Sequence, residues 1–190
     1  NVHNFWDRGL LDLALHPDFP GTPYIYVLYT YDAALGGTPP RWGTPDGTAD
    51  GCATPPGPTE RGCVVSGRLS RLEAGDSGMR GLERVLIENW PQQFPSHSIG
   101  ALEFGPDGML YVSAGDGASF EFVDYGQVGD PPNPLGDPPL AAGGRQTPPS
   151  ARGGALRSQN VSVPGFPARF NGKVLRVDPP VRPGQRVADL

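Results

Sequence analysis

Three short stretches of the sequence hold the side chains that are best suited to chemistry. They run from Trp6 to Phe19, from Ser96 to Gly117 and from Ser158 to Pro179. The second stretch contains His97, whose imidazole can accept or donate a proton near neutral pH because its ordinary pKa lies there. A loop histidine that only bonds to backbone is the structural alternative, and residue type alone does not decide between the two.

Turn-forming residues predict the loops that would carry these side chains. The run from Gly105 to Gly108 reads Gly-Pro-Asp-Gly and is a strong hairpin signal between two apolar segments. His16 begins a Pro-Asp turn, and we expect it to be structural. Trp6, Trp42 and Trp90 could each stack on a sugar ring, although buried or loop-packing positions are commoner for this residue type.

The apolar segments between the turns predict an all-β fold. Seven of them have the short length and the β-branched and aromatic content of strands. They are Leu10–Leu15, Tyr24–Tyr31, Val64–Leu72, Arg84–Trp90, Ile99–Phe104, Met109–Ala114 and Phe170–Val177. The sequence contains no convincing amphipathic helix.

A weak internal repeat favours a β-propeller. The run Leu13–Asp18 resembles Leu102–Asp107, and an aromatic strand follows each run. The runs are 89 residues apart, and a four-stranded blade with ordinary loops takes about 40–50 residues, so the offset predicts two blades. A β-sandwich also shows many short strands with Pro and Gly turns. The long irregular segments Ala34–Gly62 and Gly117–Ala168 are expected to be functional loops or surface insertions.

Composition and charge narrow the class of partner. The chain has 190 residues and a net charge of −5, from 15 basic and 20 acidic side chains. It has no basic stripe of the kind that indicates nucleic-acid binding, and no apolar run long enough to span a membrane. It begins at Asn1 without a signal peptide, which fits a leader or a preceding segment that has been removed.

The two cysteines, Cys52 and Cys63, flank a Pro- and Gly-rich stretch. We expect a disulfide that staples this loop, because the loop has little apolar core of its own. Two free thiols in a cytosolic loop are the alternative, and a zinc site is disfavoured because no second Cys/His pair lies nearby. A disulfide would indicate an exported protein, either secreted or periplasmic.

Together the three stretches resemble the soluble glucose/sorbosone dehydrogenases. The matching blocks, in the order of that family, are GLLDLALHPDF at 9–19, HSIGALEFGPDGMLYVSAGD at 97–116 and GKVLRVD at 172–178. Each block alone is modest, but the ordered set is specific and lies within Trp6 to Pro179, nearly the whole chain. The long loops between the blocks match poorly.

The resemblance implies a fold, a reaction and a cofactor. The fold would be a six-bladed propeller, of which residues 1–190 would form one incomplete domain of three to four N-terminal blades. The reaction would be oxidation of an aldose sugar or related polyol, with hydride passing to pyrroloquinoline quinone (PQQ) and then to an external electron acceptor. The family also binds calcium, and the oxygen-rich residues Asp124, Asp130, Asn133 and Asp137 are candidate ligands that turn formation explains equally well.

The resemblance also assigns roles to four residues. His97 corresponds to the general base that takes the proton of the anomeric hydroxyl beside PQQ. Asp116 corresponds to the carboxylate that orients this histidine by bonding to one ring nitrogen, with capping of the Gly115–Gly117 turn as the alternative. Asp7 and Ser96 stand at substrate-binding positions where the family has other polar residues, so the resemblance does not imply glucose as the substrate.

A second class of function stays open beside the oxidoreductase. Propellers host many functions, and the resemblance extends to non-enzymatic propellers. The histidine block with its Gly115-Asp116 ending favours an enzyme, whereas Asp7, Ser96 and the long loops favour a secreted propeller that binds carbohydrate or protein. A hydrolase is disfavoured, because the sequence has no G-x-S-x-G elbow and no paired carboxylates at an interpretable spacing.

Overall fold

The computed structural model describes residues 1–43, 50–52, 58–59, 62–119, 121 and 170–179. These residues form two antiparallel β-sheets and no helix, so the predicted all-β class is confirmed. Within the same ranges there is accordingly no helix with the length and hydropathy needed to cross a membrane.

The first sheet is a four-stranded antiparallel meander, which is the unit from which propeller blades are built. Its strands, in spatial order, are β1 Leu10–Leu15, β2 Tyr24–Tyr31, β3 Val65–Gly75 and β4 Gly78–Gln92. The last two extend beyond the predicted segments because they join in a tight hairpin in which Gly75 pairs with Gly78. This turn gave no signal in the sequence, since the residues around it are charged and interrupt the apolar pattern.

The second sheet contains three described strands. These are β5 Ile99–Phe104, β6 Leu110–Ala114 and β7 Val174–Val177, again in spatial order. The predicted hairpin joins β5 to β6, and the Gly108 amide donates to the Gly105 carbonyl at 3.0 Å. The strand β7 is shorter than predicted because a turn at Asn171–Gly172 precedes it.

The core lies where the two sheets face each other. Aromatic and aliphatic residues from both sheets are buried together: Tyr26, Leu28, Leu69, Leu86, Ile87, Trp90, Ile99, Leu102, Leu110, Val112 and Val177. Full burial of one such aliphatic side chain stabilises a fold by about 1.5–3 kcal/mol. The sheets are also joined by a hydrogen bond from the Leu102 amide to Asp12 Oδ2 at 2.7 Å. This packing fixes the end of β5 that leads back to His97.

The internal repeat marks consecutive sheets, and the prediction that its offset spans two blades is wrong. Leu13 lies in β1 and Leu102 in β5, and each of these strands is the first of its sheet. The blade is longer than usual because the connection 32–64 and the extended β3–β4 hairpin both add residues. The described residues build two sheets, and the expectation of three to four blades for the whole chain stays a prediction.

The predicted disulfide is present. Cys52 and Cys63 are bonded, with their Cα atoms 5.5 Å apart. The nearby part of the loop is fixed by Asp32, whose carboxylate accepts hydrogen bonds from the amides of Arg41 and Trp42, each at 3.1 Å. Burial raises the pKa of Asp32, and these two bonds oppose that effect.

Candidate active site

The antiparallel pairing of β5 and β6 brings two distant parts of the sequence together. Ile99, at the start of β5, pairs with Ala114, at the end of β6. The residues just before β5 therefore lie beside those just after β6. This register places His97 next to Asp116 at the end of the sheet opposite the β5–β6 turn.

The two side chains make the contact that the sequence predicts. His97 Nδ1 lies 3.3 Å from Asp116 Oδ1. The His97 side chain is 49% exposed and that of Asp116 is 22% exposed, so the pair is open to a ligand on the histidine side. The other ring nitrogen, His97 Nε2, has no protein partner within the described residues. Asp116 Oδ1 also accepts from the Ala118 amide at 3.1 Å, so turn capping and the histidine contact coexist.

The backbone holds the histidine in an uncommon conformation. His97 has a φ of 50°, in the left-handed region that non-glycine residues seldom occupy. Its carbonyl accepts from the Gly117 amide at 2.9 Å, and the Ser98 carbonyl accepts from the Gly115 amide at 2.8 Å. A Cβ atom at Gly115 would lie 2.2 Å from the His97 carbonyl oxygen, so only glycine fits there.

Asn171 supports the turn that carries Asp116, a role that was not predicted from the sequence. Its side-chain amide is buried and donates to the Pro91 carbonyl at 2.8 Å and to the Asp116 carbonyl at 3.3 Å. The next residue, Gly172, donates its amide to the Gly115 carbonyl at 2.9 Å. The position of Asn171 directly before the GKVLRVD block was the available signal, but only the fold shows that this block meets Asp116.

Asp7 reaches the site but contacts its backbone. Asp7 Oδ2 accepts from the His97 amide at 3.2 Å, and the Asp7 amide donates to the Pro95 carbonyl at 3.2 Å. The N-terminal segment is thereby attached to the loop that carries the histidine. Asp7 remains exposed, and its contact with substrate stays a prediction.

Ser96 is buried beside His97, and the substrate-binding role expected for it stays a prediction. It is only 4% exposed, and its hydroxyl donates to the Ala118 carbonyl at 2.5 Å. A buried hydroxyl with this bond ties the two loops of the site together. The His97 side chain, in contrast, is half exposed.

Arg8 is a second residue whose role the sequence did not reveal. Its guanidinium is buried and donates to the carbonyls of Cys63 and Gln92, both at 2.7 Å. Burial lowers the pKa of Arg8 to about 9, against the opposing attraction of Asp32. The neighbouring His3 is also fully buried, and desolvation followed by the Arg8 charge lowers the pKa of His3 to about 4. Arg8 therefore links the disulfide loop to the segment that leads to the site.

Other predicted features fall away from the site or outside the described residues. His16 is structural as expected, since its Nδ1 accepts from the Asp18 amide at 3.1 Å. The candidate calcium ligands at 124–137 lie outside the described residues. Within those that are described, no group of three or more His, Cys, Asp or Glu side chains is arranged to hold a metal ion.

Comparison with known proteins identifies the family. A sequence model described as "Glucose / Sorbosone dehydrogenase" matches residues 1–136. The chain belongs to the glucose/sorbosone dehydrogenase family. The β-sheets of this family member are accordingly blades of a β-propeller, and the matched range includes both His97 and Asp116.

The chain is similar to two kinds of named protein, hedgehog-interacting proteins and sugar dehydrogenases. It is 33% identical over 112 residues to the hedgehog-interacting proteins of Homo sapiens and Mus musculus, covering 58% of this chain and 13% of each relative. An oxidoreductase (glucose dehydrogenase) structure from Thermus thermophilus is 30% identical, with a TM-score of 0.40 over 61% of this chain and 26% of that one. The PQQ-bound aldose sugar dehydrogenase of Streptomyces coelicolor is 18% identical, with a TM-score of 0.49 over 94% of this chain and 32% of that one. The chain thus spans a third or less of these relatives.

Proposed function

We propose that the protein is a PQQ-dependent oxidoreductase that oxidises an aldose sugar or a related polyol. The observation that carries the proposal is the contact between His97 Nδ1 and Asp116 Oδ1 at 3.3 Å, in a member of the glucose/sorbosone dehydrogenase family. A partly exposed imidazole with a carboxylate on one nitrogen has the arrangement of a general base. Family membership supplies the reaction class to which this base would contribute.

The described residues fit the proton-accepting part of such a site. His97 Nδ1 lies 3.3 Å from Asp116 Oδ1, and a carboxylate on that nitrogen would favour the tautomer in which Nδ1 carries the hydrogen and leave Nε2 to the ligand. Lys173 adjoins this end of the sheet, since its carbonyl accepts from the Ala114 amide at 3.0 Å. The Lys173 ammonium donates to the Asn171 carbonyl at 3.1 Å, so we expect His97 to be the described contact to PQQ, with cationic contacts supplied from outside the described residues.

The chain's own residues would then move one proton. PQQ, when bound, supplies the carbonyl that takes up the hydride from the anomeric carbon. His97 Nε2 accepts the proton of the anomeric hydroxyl as the C–H bond breaks and the C=O bond of the lactone forms. Asp116 stabilises the imidazolium that results, and Asp7 keeps the histidine backbone in place through the His97 amide. An external electron acceptor would reoxidise the cofactor.

The disulfide supports a location outside the cytoplasm. Disulfides persist in oxidising compartments and are rare in cytosolic proteins. We therefore propose that the protein is secreted or periplasmic. Calcium remains a proposed partner through the oxygen-rich residues between 124 and 137.

A non-catalytic propeller that binds carbohydrate or protein is the second candidate. The 33% identity to the hedgehog-interacting proteins favours it. The two candidates differ in whether His97 acts on a proton or serves only as an exposed contact residue.

Reconstitution separates the two functions. The protein, expressed at full length, is titrated with PQQ and assayed with a dye acceptor over a panel of aldoses. The oxidoreductase predicts saturable PQQ binding and dye reduction that depends on both cofactor and sugar. If PQQ does not bind and no aldose is oxidised, the binding module replaces this proposal.

A further inference from the structure

Two residues with a left-handed backbone lie in segments that touch at the candidate site. Only three non-glycine residues in the described part of the chain have a left-handed backbone: Trp6 with a φ of 53°, Asn89 with 59° and His97 with 50°. Trp6 and His97 belong to segments that touch each other through Asp7. Such a conformation is energetically unfavourable and persists where the surroundings enforce it, commonly at ligand sites.

The turn that presents Trp6 is anchored on both sides. The Arg8 amide donates to the Phe5 carbonyl at 3.2 Å and closes the turn, and the Asp7 amide donates to the Pro95 carbonyl at 3.2 Å. The buried Arg8 guanidinium holds the turn to the Cys63 carbonyl at 2.7 Å. The turn is therefore a fixed part of the site and keeps Trp6 beside the histidine loop.

Trp6 differs from the other two tryptophans in its exposure. It is 51% exposed, although its ring stacks on Phe5 with centroids 5.3 Å apart and an interplanar angle of 16°. Trp90 is completely buried in the core. Trp42 donates its indole N–H to the Val64 carbonyl at 3.1 Å and has Arg41 over its ring. Trp6 is thus the tryptophan that offers a large aromatic surface at the site.

We propose that the Trp6 indole is a stacking platform for the apolar C–H face of a pyranose ring, next to His97. A pyranose combines such a face with hydroxyls that can reach the histidine, which matches the chemistry of the two exposed side chains. Phe5 supports the platform from below and limits the side-chain freedom that binding would otherwise remove. The choice of a sugar as ligand rests on the proposed function, which this inference deepens by naming a specificity residue.

Indole fluorescence tests the platform without the need for turnover. The full-length protein is titrated with D-glucose, D-galactose and maltose in the absence of PQQ, and tryptophan emission is followed. We expect a saturable change in the wild type and in Trp42→Phe, the matched control, and its loss in Trp6→Phe. A wild type whose emission does not respond to an aldose that it oxidises would overturn the proposal.

Steady-state kinetics of the PQQ-loaded protein provide the second measurement. Aromatic contacts contribute about 0.5–1.5 kcal/mol, so Trp6→Ala should raise KM by about 2- to 10-fold with little change in kcat, and Trp6→Phe should raise it less. Unchanged KM in Trp6→Ala overturns the platform and leaves the enzyme intact. Weaker PQQ binding in Trp6→Ala with unchanged sugar binding also overturns it, because the quinone would then be the stacked group. If no aldose is oxidised but the emission still responds to sugar through Trp6, the oxidoreductase fails and the platform stands.

Discussion

The two ends of the β5–β6 hairpin carry an aspartate each, and the two carboxylates are used differently. At the turn, Asp107 accepts from the Met109 amide, the Tyr111 hydroxyl and the Arg176 guanidinium, at 3.0–3.1 Å. The Met109 bond is the main reason that the pKa of Asp107 is lowered. At the open end, Asp116 has the Ala118 amide and the His97 ring as its contacts.

The contrast shows how one hairpin can separate stability from chemistry. The donors around Asp107 are fixed parts of the same sheet, so this carboxylate stabilises a turn. Asp116 faces an imidazole whose second nitrogen is open, so any change at that nitrogen is transmitted to the carboxylate. The same residue type therefore stabilises a turn at one end of the sheet, and at the other it lies beside the histidine that we propose as the base.

Replacing the histidine should have the largest effect. His97→Ala removes the proposed general base, and the loss of such a group typically lowers the rate by about 10²- to 10⁴-fold. PQQ binding should persist if other cationic residues supply most of its contacts. The measurement is kcat of the PQQ-loaded protein, and His16→Ala is the matched control because His16 lies in a turn away from the site. Full turnover in His97→Ala would exclude the histidine as the base.

Removing the disulfide should destabilise the loop to which Arg8 bonds. Through Arg8, it should also loosen the N-terminal segment that reaches His97. The bond closes a loop between residues 11 positions apart, and the loss of such a constraint costs about 3 kcal/mol in the chain-entropy account. Cys52→Ser/Cys63→Ser should accordingly lower the free energy of unfolding in urea. An unchanged transition midpoint would show that Arg8 and its carbonyl partners hold this region without the bond.

Acid should lower the stability of the protein through His3, which is buried beside Arg8. The pKa of His3 is about 4 in the folded protein, against an ordinary value of 6.5. Below pH 6.5 the unfolded chain therefore binds a proton on His3 that the folded chain binds only near pH 4. Stability should therefore fall between pH 6.5 and 4, by about 3 kcal/mol at most, and level off for this group below pH 4. Urea unfolding across this range in wild type and His3→Gln isolates the contribution. Parallel pH curves for the two proteins would contradict it.

The sequence predicted the His97–Asp116 pair, but not the contacts that support it. His97 and Asp116 could be named because their blocks match a family, and the turn at Gly105–Gly108 implied that the two blocks pair as a hairpin. The supporting contacts of Arg8 and Asn171 could not be named, because each depends on which distant carbonyls the packed sheets bring within reach.

The length of the first blade was misjudged for a related reason. The sequence repeat showed that β1 and β5 are equivalent, but not how many residues lie within one blade. Blade length depends on loops such as 32–64, whose Pro- and Gly-rich composition carries no periodicity. The strands β3 and β4 were cut short because charged residues near their hairpin end hide the alternation of a solvated face.

The smallest effect is expected at the turn end of the hairpin. Asp107→Ala removes three exposed hydrogen-bond and ion-pair contacts, and surface contacts of this kind contribute little to stability. A small decrease in Tm with unchanged kcat/KM is the expected result in thermal unfolding and dye-reduction assays. A loss of activity comparable to that of a site variant would mean that the two ends are not separate.

A double-mutant cycle on turnover tests most directly whether His97 and Asp116 act as one unit. The four proteins are wild type, His97→Ala, Asp116→Asn and the double variant, each loaded with PQQ and assayed at saturating sugar. Because Asp116 is proposed to act through the histidine, Asp116→Asn should lower kcat in the wild type and leave it within about twofold in the His97→Ala background. If the two losses multiply instead, the carboxylate acts independently of the histidine, and the base with its orienting partner is the wrong description of this site.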